Sequence, residues 1–205
     1  MIHQRLKLIK RIIISIGHDP KNVGAVNNKG EKENTLATDI AKKAASYLLA
    51  NGVAVWLMPD LELSATIKNL YRLGKTESDL GIEIHKDSTD IFEASKMERR
   101  VGLYYLMESA GAGNIAKTMV LSMIANGAHN TSWTRVDTDS PRKRLAFVRD
   151  TKMLSYIYEA GFIEGNNMPD ENEWYAWTLT KSILTILGKP IINTPINYTT
   201  IPPIF

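Results

Sequence analysis

The chain has 205 residues, 44% of them hydrophobic and 23% charged, a balance that suits one globular domain with a real core and leaves little room for a second. Its formal net charge of +3 is too small, and its basic residues too scattered, to point to nucleic acid. There is no cysteine, which excludes disulfides, thiolate metal ligands and a cysteine nucleophile, so any metal must be held by His and carboxylate groups.

Lys7, Lys10 and Arg11 precede the apolar run Ile12 to Ile16. That run is too short for the core of a signal peptide and no small-residue cleavage site follows it. Its β-branched composition and the Gly17 that closes it predict a central strand. Residues 34 to 50 carry Leu36, Ile40, Ala44 and Leu48 at helical spacing, with Lys42 and Lys43 pointing away, and Asn51-Gly52 stops the helix. Strands are predicted over 53–58, 80–85 and 102–107, and helices over 64–73 and 113–126. Two further strands are predicted over 145–148 and 154–159, and a last helix over 171–187, closed by Gly188. The cluster Arg142, Lys143 and Arg144 reads as a solvated loop. From Lys189 onward, Pro190, Pro195, Pro202 and Pro203 punctuate a segment with little charge. The chain therefore divides into one domain over residues 1–188 and an extended tail over 189–205. Strands that alternate with helices predict an α/β fold with three layers, a twisted and mostly parallel sheet of about six strands flanked by helices. No stretch approaches the ~20 apolar residues of a membrane span.

In such folds the working residues gather at the carboxyl ends of strands. His18 follows the first strand, His85 ends the third and Glu159 ends the sixth, while Glu31 and Glu33 lie just before the first long helix. Two His and one carboxylate are a known set for catalytic zinc. With four histidines in the chain, the spacing alone leaves open a second reading, in which these are hydrogen-bonded residues at strand ends.

The local sequences narrow this. Ile14-Ser15-Ile16-Gly17-His18-Asp19-Pro20, followed by Gly24-Ala25, resembles the first motif of the zinc N-acetylmuramoyl-L-alanine amidases of the amidase 3 type, an apolar strand with Gly-His and then Gly-Ala. Glu33, ahead of Ile40-Ala41-Lys42-Lys43, is similar to the family's next element. Ser78-Asp79-Leu80-Gly81-Ile82-Glu83-Ile84-His85 is similar to Ala-Asp-Leu-x-x-Ser-Ile-His, and Gly102-Leu103-Tyr104-Tyr105 to the strand after it. Tyr158-Glu159-Ala160-Gly161-Phe162-Ile163 is similar to Val-Glu-x-Gly-Phe-Ile. The resemblance runs in family order over roughly residues 11 to 187.

It implies that His18, Glu33 and His85 bind Zn2+ and that Glu159 is the catalytic carboxylate. Zinc would lower the pKa of water to about 7 and polarise the scissile carbonyl, and Glu159 would carry a proton from the water to the leaving amine. The substrate implied is peptidoglycan, cut between N-acetylmuramic acid and L-alanine, with no nucleic acid and no stable membrane association. Small size without a signal peptide suggests a phage-type endolysin, or an autolysin released by lysis, made in the cytoplasm and acting on the wall after release. Departures touch the surroundings of the site. Glu83 stands where the family commonly has Ser, Asp87 where Asn is usual, Leu154 where Pro is usual, and the Asn after Phe162 is displaced to Asn166. Glu83 and Asp87 make the site more acidic, although Glu83 also reads as an exposed charge at a strand edge, on the face opposite Ile82 and Ile84. His3 and His129 have no motif support, and Trp133 beside the 126–132 loop reads as a packing anchor or a stacking platform. Two alternatives stay open: a zinc carboxypeptidase acting on wall peptides, and an inactive wall-binding relative.

Overall fold

Strand β1 (Arg11–Ile16) is buried from Ile12 onward, as expected of an interior strand covered on both sides. The structure, a computed structural model, describes residues 6, 8–72, 79–89, 91–96, 98–109, 111–164 and 170–192. After β1 come helix α1 (Glu33–Ala50), strand β2 (Ala54–Leu57), helix α2 (Leu63–Arg72), strand β3 (Asp79–Asp87) and the short helix α3 (Ile91–Lys96). Strand β4 (Val101–Tyr105), helix α4 (Ala112–Ala125) and strand β5 (Trp133–Val136) follow, then a 3-10 turn (Asp137–Asp139), the short helix α5 (Ala146–Asp150), strand β6 (Leu154–Phe162) and helix α6 (Glu171–Leu187).

The six strands form one sheet in the order β2-β1-β3-β6-β4-β5. β2, β1, β3 and β6 run parallel, while β4 is antiparallel to β6 and parallel to β5. The alternation of β3 sorts its residues by face. Leu80, Ile82 and Ile84 join the larger core beneath α1, α4 and α6, together with Ile12, Ile14, Leu154, Tyr156, Tyr158 and Leu103. Ile13, Tyr104 and Ile157 point to the other face and meet Leu70, Phe147 and Val148 in a smaller core. That second core covers only part of its face. The uncovered part, toward the carboxyl ends of β1, β3 and β6, is where the chemistry-bearing residues collect.

Several expectations are corrected here. Residues 145–148 are not a strand: Ala146–Asp150 is a short helix whose Phe147 and Val148 are buried. A short apolar run does not distinguish strand from helix, and here packing on the second core decides. Trp133 is not in a loop but opens β5, paired with Gly102 of β4. The segment after β3 contains α3, for which no element was predicted. Residue 73, closing the predicted second helix, Ser78 of the third motif, Gly165, Asn166 and residues 193–205 of the tail lie outside the described residues, as does His3. Among the described residues no helix is long and apolar enough to cross a membrane.

Candidate active site

The site is assembled by the loop after β1, the first turn of α1 and the ends of β3 and β6. The Gly17 N–H donates to the Ile84 carbonyl at 2.8 Å, which carries the chain along β3 for one more residue. His18 then adopts a φ of 63°, a left-handed conformation that costs a residue with a side chain about 1 kcal/mol. Such strain is held only where surrounding contacts impose it. The following loop is pinned: Asp19 accepts from the amides of Lys21 and Asn22 at 2.7 and 3.0 Å, and the amides of Glu33 and Asn34 donate to the carbonyls of Ala25 and Val23 at 2.9 and 3.1 Å.

Two glycines leave room for the side chains. A Cβ on Gly17 would lie 2.5 Å from atoms of the His85 ring. A Cβ on Gly24, where φ is 73°, would lie 2.4 Å from Glu33 Oε2 and 2.7 Å from His18 Cδ2. Gly17 is thus required by close approach, and Gly24 by close approach as well as turn geometry.

The buried Glu33 carboxylate sits between two imidazoles. Its Oε2 is 3.2 Å from His18 Nε2 and its Oε1 3.0 Å from His85 Nδ1. The amides of Ala25 and Lys86 also donate to it, at 3.0 and 3.3 Å. Burial alone would raise its pKa. The hydrogen bonds from His18 and His85, the charge of His85 and the Ala25 amide outweigh that and hold the carboxyl well below the usual range. Burial lowers the pKa of His85, but hydrogen bonds to Glu33 and Glu83 and the charges of Glu83 and Glu159 raise it well above the ordinary value. One ligand atom from each of His18, Glu33 and His85 lies within 4.8 Å of the others, the spacing of a group able to hold a metal ion. The fourth residue, Glu159, pairs across the ladder with His85 on one side and Gly102 on the other. It lies inside β6, which continues to Phe162.

A cleft of about 590 Å³ opens over these groups. Part of its lining comes from the 140–147 segment, including Arg142 and Arg144. Both are solvent-exposed, as read from sequence, and Arg144 pairs with Asp150 at 2.9 Å, yet they also border the cleft. Tyr104 of β4 lines the cleft as well, edge-on to Trp133 with ring centres 4.8 Å apart. No local motif marks this part of the lining, which the chain fold brings into the same cleft as His18. Glu31 stands apart: its carboxylate accepts from the Asn27 side chain at 2.7 Å. His129 bonds within its own turn, to Thr131 at 2.8 Å, and does not line the cleft. Glu83 departs from its sequence reading as an exposed edge charge. It is on the face opposite Ile82 and Ile84, but β3 is an interior strand and Glu83 is 4% exposed.

Burial raises the Glu159 pKa to about 8. The His85 charge opposes the shift, and the charges of Asp87, Glu33 and Glu83 add to it. In the metal-free protein the folded state then binds more protons than the unfolded chain between the ordinary value of 4.5 and about 8. The contribution of this group is therefore fully present below 4.5 and is lost as pH rises through 8. Glu159→Gln removes that loss. With chelator present, its stability relative to wild type is expected to rise from pH 5 to pH 8, with a slope of no more than about 1.4 kcal/mol per pH unit. Urea midpoints at the two pH values check this, and a pH-independent difference overturns it.

Two imidazoles and a carboxylate converge beside a second carboxylate, at the carboxyl edge of a mostly parallel sheet, and form a donor set that could hold a metal ion. The chain belongs to the Amidase_3 family of N-acetylmuramoyl-L-alanine amidases, whose family model matches residues 12–181. Among solved structures it is similar to the N-acetylmuramoyl-L-alanine amidase AmiC2 of Nostoc punctiforme, with a TM-score of 0.69 at 21% identity over 89% of this chain and 98% of that one. The catalytic domain of CwlV from Bacillus (Paenibacillus) polymyxa var. colistinus aligns with a TM-score of 0.69 at 21% identity, over 89% and 100% of the two chains. Ami1 from Mycobacterium smegmatis aligns with a TM-score of 0.67 at 17% identity, over 88% and 98%. No curated protein matches the sequence. The family membership makes the chain a peptidoglycan amidase.

Proposed function

We propose that the chain hydrolyses the amide between N-acetylmuramic acid and L-alanine with water activated by zinc, that His18, Glu33 and His85 hold the metal, and that Glu159 moves the proton. The observation that carries this reading is the convergence of those three side chains within 4.8 Å. The residues fit the ion. Tetrahedral zinc with bonds of about 2.0–2.1 Å sets its ligand atoms roughly 3.3 Å apart. One donor atom from each of the three residues lies within 4.8 Å of the others, so small side-chain adjustments would bring them to that spacing. Zinc bound there supplies Lewis acidity, making water acidic enough to attack at neutral pH and polarising the scissile carbonyl.

The remaining work falls to side chains of this chain. Glu159 lies partly exposed to the cleft and faces His85 across the ladder. It takes the proton from the attacking water and returns it to the leaving nitrogen of L-alanine, which departs as a neutral amine. A group that both accepts and donates works best with a pKa near the operating pH, and a raised carboxyl pKa moves Glu159 in that direction. The cleft lined by His18, Tyr104 and the 140–147 segment leaves the reacting groups open to a polymeric substrate.

Chelation is expected to abolish digestion of purified cell wall, and added zinc to restore it. Digestion should release new L-alanine amino groups without new reducing sugar ends. Reducing ends would mark a glycosidase, and released D-alanine a carboxypeptidase. Either product in place of L-alanine amino groups overturns the reading.

A further inference from the structure

The acidic residue at position 83 sits where the family resemblance leads one to expect Ser. β3 alternation places Glu83 and His85 on one face, two residues apart. In register, Glu83 lies between Ser15 of β1 and Ile157 of β6, so its side chain rises from the middle of the sheet. At 4% exposure it has little water to solvate a charge. Burying a carboxylate is costly unless it is paired and hydrogen-bonded. Among the described residues its hydrogen-bond partner is the His85 ring, with Oε2 3.2 Å from Nε2. The other ring nitrogen, Nδ1, faces Glu33, a residue of the converging set, at 3.0 Å.

The two nitrogens of His85 thus have different tasks. A neutral imidazole carries one N–H and one lone pair, and the partner of one nitrogen selects the tautomer. With Nε2–H donated to Glu83, the Nδ1 lone pair is free to bind a cation beside Glu33 and His18. The carboxylate also fixes the ring plane, which the absence of a Cβ on Gly17 lets lie close against the backbone. A carboxylate behind a ligating imidazole raises the basicity of the ligand and holds it in place.

We propose that Glu83 is a positioning residue that holds His85 in the tautomer and orientation that present Nδ1 to the metal, and thereby strengthens zinc binding. This rests on the reading of His18, Glu33 and His85 as a zinc site. Glu83 is not one of the three residues whose donor atoms converge.

The test is zinc affinity of the purified full chain, measured by competition with a chromogenic chelator, for wild type, Glu83→Gln, Glu83→Ser and His85→Ala. Glu83→Ser is expected to bind zinc about 10–100-fold more weakly than wild type. Glu83→Gln keeps the shape and an acceptor oxygen but loses the charge, so its affinity should fall between the two. It also remains informative where the Ser variant folds poorly. Cobalt(II) in place of zinc should give wild type and Glu83→Gln the same coordination number in the visible spectrum. Affinities of both variants within twofold of wild type overturn the proposal and leave the zinc site standing. A change of coordination number in Glu83→Gln makes Glu83 a ligand and overturns its positioning role. A wild type that binds no zinc, or a His85→Ala variant that binds it as tightly, overturns the zinc site and this proposal together.

Discussion

Glu159→Gln is expected to fold, to keep its zinc and to lose wall-hydrolysing turnover by about 10²–10⁴-fold, the range for removal of a general acid–base group. Gln nearly preserves the shape of Glu, so its neighbours on the ladder, His85 and Gly102, should keep their places. Glu159 is not one of the three residues whose donor atoms converge, so its replacement leaves the proposed metal set intact. What it removes is the ability to accept a proton from water and pass it to the leaving amine. His18→Ala should behave differently and lose metal and activity together, because His18 is one of the three converging residues. The measurement is zinc content, thermal midpoint and hydrolysis rate for both variants on the same wall preparation. A zinc-loaded, stable Glu159→Gln protein that digests wall at nearly the wild-type rate would make Glu159 a structural carboxylate and remove it from the mechanism.

The residues brought together at this site lie in or beside elements with strong local signatures, and the motif resemblance singled them out among the chain's His and Glu residues. The run Ile12 to Ile16 is buried on both faces, and α1 has small and apolar residues along the side it buries. β3 and β6 carry regular alternation. What could not be read depends on partners distant in sequence. Whether Glu83 is exposed turns on whether β3 is an edge or an interior strand. That is decided by the order β2-β1-β3-β6-β4-β5, to which the residues around Glu83 contribute no signal. Trp133–Val136 is four residues long and among the described residues pairs only with β4, so its neighbours rather than its pattern make it a strand. Ala146–Asp150 becomes a helix because Phe147 and Val148 reach the smaller core in that form. The antiparallel setting of β4 against β6 is likewise a property of the assembled sheet. It places Gly102 beside Glu159 and brings Tyr104 into the cleft.

Of the two glutamates ahead of α1, Glu33→Ala is expected to abolish zinc binding and wall hydrolysis, and Glu31→Ala to leave both nearly unchanged. Each oxygen of Glu33 contacts a different imidazole, at 3.2 and 3.0 Å, and two backbone amides hold the carboxylate in place. Its removal would leave His18 and His85 without the anion that draws them to a common point. Glu31 instead braces its own loop. Its carboxylate accepts from Asn27 Nδ2, which also donates to the Ile163 carbonyl at 3.1 Å, and its amide donates to Asn27 Oδ1 at 3.0 Å. Loss of its side chain should cost about 1 kcal/mol of stability, the net worth of one hydrogen bond. Zinc-induced stabilisation separates the two variants without any activity assay. A ligand that binds only the folded state stabilises it by about 4 kcal/mol at a thousand times its dissociation constant. Wild type and Glu31→Ala should show an upward thermal shift on adding zinc, and Glu33→Ala should show none. A Glu33→Ala protein that still gains stability from zinc, beside a Glu31→Ala protein that does not, would move the metal ligand two residues toward the amino terminus and take it out of the first turn of α1.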